Sequence, residues 1–166
     1  MLTAWLCCPQ WRWTDRTSFE RAKPYQVPEG TLILVAEDNS VNQRVSESFL
    51  KKLGATVLLA NNGRKAMEQW RDLSPSLALM DLQMPEMDGL DATREIRKLE
   101  QDDLDDLGDS TPIVALTANV SEEVRQRCSQ AGMDGHLSRP FQLRELSEVI
   151  QRCLEDRGPN QARRAA

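Results

Sequence analysis

A chain of 166 residues, 40% hydrophobic and 28% charged, is long enough for one domain with a substantial core. Its net charge of −5 is uneven: the two ends, residues 1–30 and 155–166, are each +1, which leaves −7 for the body and argues against direct nucleic-acid binding there. The four cysteines (Cys7, Cys8, Cys128, Cys153) show no CxxC spacing, and one histidine cannot complete the usual structural zinc sites, which fits a reducing, cytoplasmic setting.

The opening "MLTAWLCCP" is apolar, but Pro9 interrupts it too early for a membrane span, and it lacks the basic start of a signal peptide. Residues 1–30 crowd Trp5, Trp11 and Trp13 ahead of "RAKPYQVPEG", with no lasting period. They read as a poorly ordered leader or linker, with a partner-docking segment as the alternative.

From Thr31 the pattern becomes regular. "TLILVA" has the length and β-branching of a strand, Asn39 or Ser40 can cap a helix, and Val41, Val45, Phe49 and Leu53 recur at helical spacing up to Gly54. "ATVLLA" is a second strand. Asn62-Gly63 reads as a turn, and Ala66, Met67, Trp70 and Leu73 line a helix that stops before Pro75. "SLALMD" is the third strand, followed after "LQMPEMDG" by a helix over Leu90–Leu99 with Ala92, Ile96 and Leu99 inward. "QDDLDDLGDS" is an acidic, solvated loop. "IVALT" is the fourth strand, and Val120, Val124, Cys128 and Ala131 mark a helix that Gly132 ends. "GHLS" is a short fifth strand, and Leu143, Leu146, Ile150 and Cys153 define the last helix before a polar tail, residues 156–166. Cys128 and Cys153 read as buried small hydrophobes.

Five strand–helix units in series predict an α/β fold. It is a doubly wound, flavodoxin-like (βα)5 domain over residues 31–155, with a parallel five-stranded sheet in the order 2-1-3-4-5. Ligands of such sheets bind beyond the carboxyl ends of the strands. Strand one ends in Glu37-Asp38, strand three in Asp81, strand four in Thr117 and strand five in Ser138-Arg139. In that strand order the three carboxylates converge and repel one another, which a hard divalent cation such as Mg²⁺ resolves. Such a cation beside a carboxylate suits phosphoryl chemistry, and an anion on Asp81 becomes a target for Arg139. Taken singly, Asp38 and Thr117 also read as helix-cap or turn residues. Their joint occurrence at the strand ends with Asp81 favours a site.

"LVAEDNSVNQ", "ALMDLQMPEMDG", "IVALTAN" and "GMDGHLSRPF" together closely resemble the receiver domain of two-component response regulators, most of all receivers attached to hybrid histidine kinases. The resemblance runs from about Leu32 to Leu154. It implies that Asp81 is the phospho-acceptor, served by a histidine kinase or histidine phosphotransfer protein. It implies that Glu37, Asp38, Asp81 and the backbone carbonyl of Gln83 hold Mg²⁺, and that Thr117 and His136 move together as a switch. It also implies a cis peptide between Arg139 and Pro140, and an output face over Val120–Leu154 for partners or a homodimer.

Two positions depart from the family pattern. His136 stands where many receivers have Tyr or Phe, to pack as a flat ring or to lie at the surface; modulation of switching by its protonation is a further expectation. Arg139 replaces a lysine that contacts the phosphoryl oxygens, and its planar fork prefers bidentate geometry. The alternative function is therefore a degenerate, phosphate-independent interaction module, supported by Arg139 alone. A phosphohydrolase would want a second acid two residues after Asp81, where Gln83 stands. A flavin carrier would not place the Glu37-Asp38 pair at its phosphate loop.

Overall fold

The apolar runs and helix-spaced stretches become five strands and five helices in the computed structural model, which describes residues 25–102, 110–119 and 121–155. In chain order they are β1 (Leu32–Ala36), α1 (Ser40–Lys52), β2 (Thr56–Ala60), α2 (Gly63–Leu73) and β3 (Leu77–Asp81). There follow α3 (Gly89–Asp102), β4 (Ile113–Thr117), α4 (Glu122–Ala131), β5 (Gly135–Ser138) and α5 (Leu143–Glu155). All pairings are parallel and the order is β2-β1-β3-β4-β5, the doubly wound, flavodoxin-like topology expected from the sequence. Residues 1–24, most of the acidic loop, Val120 and the tail 156–166 lie outside the described residues. Among the described residues no helix is long and apolar enough to cross a membrane.

The period of two along each strand divides the core into two layers. Ile33, Val35, Leu79 and Leu116 face one way and pack with Leu50 of α1 and Ile150 of α5. Leu34, Met80 and Ala115 face the other way, toward Ala66 of α2, Ile96 of α3 and Cys128 of α4. β3 and β4 are buried at every position, as central strands covered on both faces must be. Truncating a side chain such as Leu79 to alanine there costs about 2–5 kcal/mol.

The structure departs from or adds to the sequence reading in four places. Asn62, expected only to turn the chain, also caps α2: its side chain accepts from the Lys65 N–H, and Gly63 begins the helix with its N–H on the Met87 carbonyl. On α1 the inward positions are Ser46 and Leu50, followed by the buried C-cap Leu53, whereas Val41 is 67% and Val45 44% exposed. The spacing of four from Val41 drifts around a helix of 3.6 residues per turn, so only the end of that stripe meets the sheet. Leu73, in the last turn of α2, is also exposed. The packed unit begins before Thr31: Val27 is buried and its N–H donates to the Leu53 carbonyl, while the Tyr25 N–H donates to Ser147 Oγ on α5.

Candidate functional site

Parallel register brings the polar strand ends to one level. Ala36 pairs with Met80, so Glu37 follows β1 beside Asp81, the last residue of β3. Asp81 pairs with Leu116 and Thr117 with Ser138, which places Thr117 and Arg139 on the same edge. Glu37, Asp38, Asp81, Thr117 and Arg139 line one groove of about 1260 Å³. Glu37, Asp81 and Thr117 are buried, Asp38 is exposed, and Arg139 lies between.

One carboxylate oxygen from each of Glu37, Asp38 and Asp81 falls within 4.8 Å of the others. Hard oxygen donors in that grouping fit Mg²⁺. The oxygens are not equally open. Glu37 Oε1 accepts from the Asn39 N–H (3.2 Å) and from Asn42 Nδ2 (3.1 Å), and Glu37 Oε2 accepts from Arg139 Nη1. Asp81 Oδ1 accepts from the Gln83 N–H (3.1 Å) and lies 2.7 Å from Arg139 Nη2. Among the described residues, Asp81 Oδ2 and both oxygens of Asp38 take no hydrogen bond.

Arg139 thus points into the acidic cluster and joins two of its members. The peptide that follows it, to Pro140, is cis, and its own N–H donates to the Thr117 carbonyl (2.8 Å). Burial pushes the Glu37 carboxyl above its ordinary range. The Asn42 hydrogen bond opposes this, the Asp81 charge adds to it, and the Arg139 guanidinium and the Asn39 N–H oppose it again.

Thr117 Oγ1 is occupied locally: it donates to the Asn119 carbonyl (2.7 Å) and accepts from the Asn119 N–H (3.1 Å). His136 pairs in register with Ala115 and is half-buried, away from the cluster. Burial lowers its pKa from the ordinary value, and the Arg125 charge lowers it further. Gln83 is exposed in the loop after β3.

The sequence reading did not assign Asn39 or Asn42 to the site. Asn39 caps α1 through its side chain while its N–H holds Glu37, and Asn42, one turn on, reaches the same carboxylate. A polar residue three after a capping Asn was the only signal. Gln43 donates to the carbonyls of Glu37 and Ala60, tying the ends of β1 and β2 together.

Compared with known proteins, residues 33–151 match the family model of the response regulator receiver domain. The chain belongs to that family. This receiver domain is 39% identical over 140 residues to probable histidine kinase 4 of Oryza sativa, covering 75% of this chain but 14% of the rice protein. It is 40% identical over 128 residues to the peroxide stress-activated histidine kinase mak1 of Schizosaccharomyces pombe, covering 75% of this chain and 8% of that one. The chain therefore spans a small fraction of the curated relatives it matches.

Among solved structures, it is similar to the receiver domain of sensor histidine kinase PA1611 from Pseudomonas aeruginosa, which has a magnesium ion coordinated in its active-site cleft. The identity is 39%, the TM-score 0.66, and the match covers 76% of this chain and 98% of that one. It is also similar to a Saccharomyces cerevisiae complex of the histidine phosphotransfer protein Ypd1 with the receiver domain of Ssk1. There the identity is 31%, the TM-score 0.68, and coverage 79% and 90%.

Proposed function

We propose that this receiver domain takes a phosphoryl group on Asp81 from a histidine kinase or a histidine phosphotransfer protein, and that the modified domain binds partners differently from the unmodified one. The observation that carries this reading is Asp81 in the wall of the groove beside two further carboxylates, with its Oδ2 taking no hydrogen bond. Oδ2 attacks phosphorus, the P–N bond to the donor histidine breaks, and its electron pair returns to the imidazole. Glu37, Asp38, Asp81 and the Gln83 carbonyl would hold Mg²⁺, which supplies charge neutralisation for the transferring oxygens.

The chain's own groups do the rest. Arg139 already stands within reach of the acceptor and turns its fork to the phosphoryl oxygens. Thr117 gives up Asn119 to donate to the same group, and His136, on the neighbouring strand, follows it. Partners or a second copy would meet the face built from α4, β5 and α5. The Ypd1–Ssk1 complex supports a phosphotransfer partner. Cys128 and Cys153, both buried and neither in a disulfide, go with a cytoplasmic setting.

A second reading has one observation in its favour. The Arg139–Asp81 ion pair reproduces, without phosphate, a contact that phosphorylation would create, as a phosphate-independent interaction module requires. One experiment separates the two. The protein is incubated with Mg²⁺ and a small-molecule phosphodonor and its intact mass read, with Asp81→Asn and Arg139→Lys alongside. An adduct on the wild type, absent from Asp81→Asn, is the expected result. An adduct on Arg139→Lys alone would favour the second reading.

A further inference from the structure

We propose that the Arg139 guanidinium is an internal counter-ion that competes with the divalent cation for the Glu37 and Asp81 carboxylates, so that the Arg139 bridge and the bound metal oppose each other. The proposal deepens the phosphoryl-acceptor reading and rests on it for the purpose of the metal.

The acidic oxygens differ in how far they are already occupied. Glu37 has both of its oxygens engaged, one by Asn39 and Asn42 and the other by Arg139. Asp81 has one oxygen engaged by the Gln83 N–H and by Arg139, and one open. Asp38 is open at both. A metal arriving at this cluster finds ready donors on Asp38 and on Asp81 Oδ2. It gains Glu37 only by displacing a guanidinium nitrogen.

The competitor is built to persist. Its backbone N–H is tied to the Thr117 carbonyl, so the side chain starts from a fixed point and loses less entropy on binding. Its side chain is 17% exposed, where water screens the pair weakly. The fork also spans two acceptors at once, with Nη1 on Glu37 and Nη2 beside Asp81. Three converging carboxylates need positive charge, and the guanidinium supplies one unit of it before any metal binds. A divalent cation then meets both a reduced field and an occupied ligand. Because coupling between two ligands of one site is reciprocal, whatever factor Arg139 takes from metal affinity the metal takes from the Arg139 bridge.

The test is a calorimetric titration of Mg²⁺ into the full chain, wild type against Arg139→Gln. Binding to Arg139→Gln is expected to be about tenfold tighter, within the usual range of such couplings; equal or weaker binding overturns the proposal. A second measurement needs no variant. In ¹⁵N-detected spectra of the wild type, the Arg139 Nη resonances, held distinct by the two-carboxylate grip, are expected to merge toward free arginine as Mg²⁺ saturates. Resonances that stay distinct at saturation overturn the proposal even if Arg139→Gln does not fold. The phosphodonor experiment is read separately: an Asp81 adduct with no antagonism removes this inference and leaves the receiver function standing. Antagonism without an adduct does the reverse.

Discussion

Arg139 Nη2 stands 2.7 Å from Asp81 Oδ1, joining the end of β5 to the end of β3 across the intervening strand β4. Both side chains are largely buried, at 17% and 7% exposure, and Glu37 on the other branch of the fork is at 1%. Removing the cation alone leaves two buried carboxylates facing each other, a far worse state than either the full cluster or its absence. Arg139→Ala is expected to lose about 3 kcal/mol in metal-free buffer, measured by urea unfolding with a chelator present. Added Mg²⁺ should return part of it, because the ion binds only the folded cluster. A loss of only a few tenths of a kcal/mol would mean that the bridge behaves as a surface pair.

Gly89 opens α3 directly under Asp81. A Cβ there would overlap the Asp81 carbonyl oxygen and press on the Met80 side chain. Backbone cannot retreat as a flexible side chain can, so Gly89→Ala must shift either the helix start or the end of β3. The expected cost is about 2–3 kcal/mol in thermal or chemical unfolding, with slower adduct formation at Asp81. A variant with wild-type stability and wild-type uptake would show that the helix start has room to move.

Much of this was legible before the structure. β3 could be read from "LALM" because a strand covered on both faces must be apolar throughout, and Asp81 stood out because nothing helical follows it at once. The strand order then brought Glu37, Asp38 and Asp81 together. The pattern was silent where a residue's partner is distant or its role double. Asn39 reads as a cap and is one, which hides its second bond to Glu37. Val41 and Val45 match the helical period yet lie beyond the sheet, because a period of four fixes a stripe only over about two turns. Arg97 carries no periodic signal toward Asp134, since that pairing crosses from α3 to the start of β5.

That Arg97 network closes the opposite end of the sheet. Its guanidinium donates to the Gly132 carbonyl (2.8 Å), the Thr111 carbonyl (2.9 Å), Glu100 Oε2 (2.6 Å) and Asp134 Oδ2 (2.7 Å). Glu100 and Asp134 in turn accept from the Thr111 and Ile113 N–H groups, so one side chain organises the entry to β4. Arg97→Ala should cost about 2 kcal/mol, because it removes four part-buried hydrogen bonds at once, with no change in the Asp81 adduct at a temperature where the variant is folded. Loss of the adduct in the folded variant would refute this separation of the two sheet ends.

In the proposed switch, Thr117 would have to give up its present bonds. Its hydroxyl both donates to and accepts from Asn119, one residue beyond the exposed Ala118. Thr117→Val removes those bonds at about 1 kcal/mol, seen as a small fall in unfolding midpoint. The adduct should still form on Asp81, but the spectral change that accompanies it over α4 and β5 should vanish. A full spectral response in Thr117→Val would exclude the hydroxyl from the switch.

The surroundings of His136 set the sign of a pH dependence expected for the protein's stability. Burial is the larger cause of its lowered pKa and the Arg125 charge the smaller, so both disfavour the imidazolium in the folded state. A depressed folded pKa means that the unfolded chain binds the proton more readily. The stability is therefore complete above the unfolded value of 6.5 and is lost as pH falls through the lower folded value. Melting temperature should thus drop more for the wild type than for His136→Phe as pH is taken from above 6.5 to below it, with the variant subtracting the carboxylates' share. Equal slopes would mean that the ring is solvated well enough to charge in place.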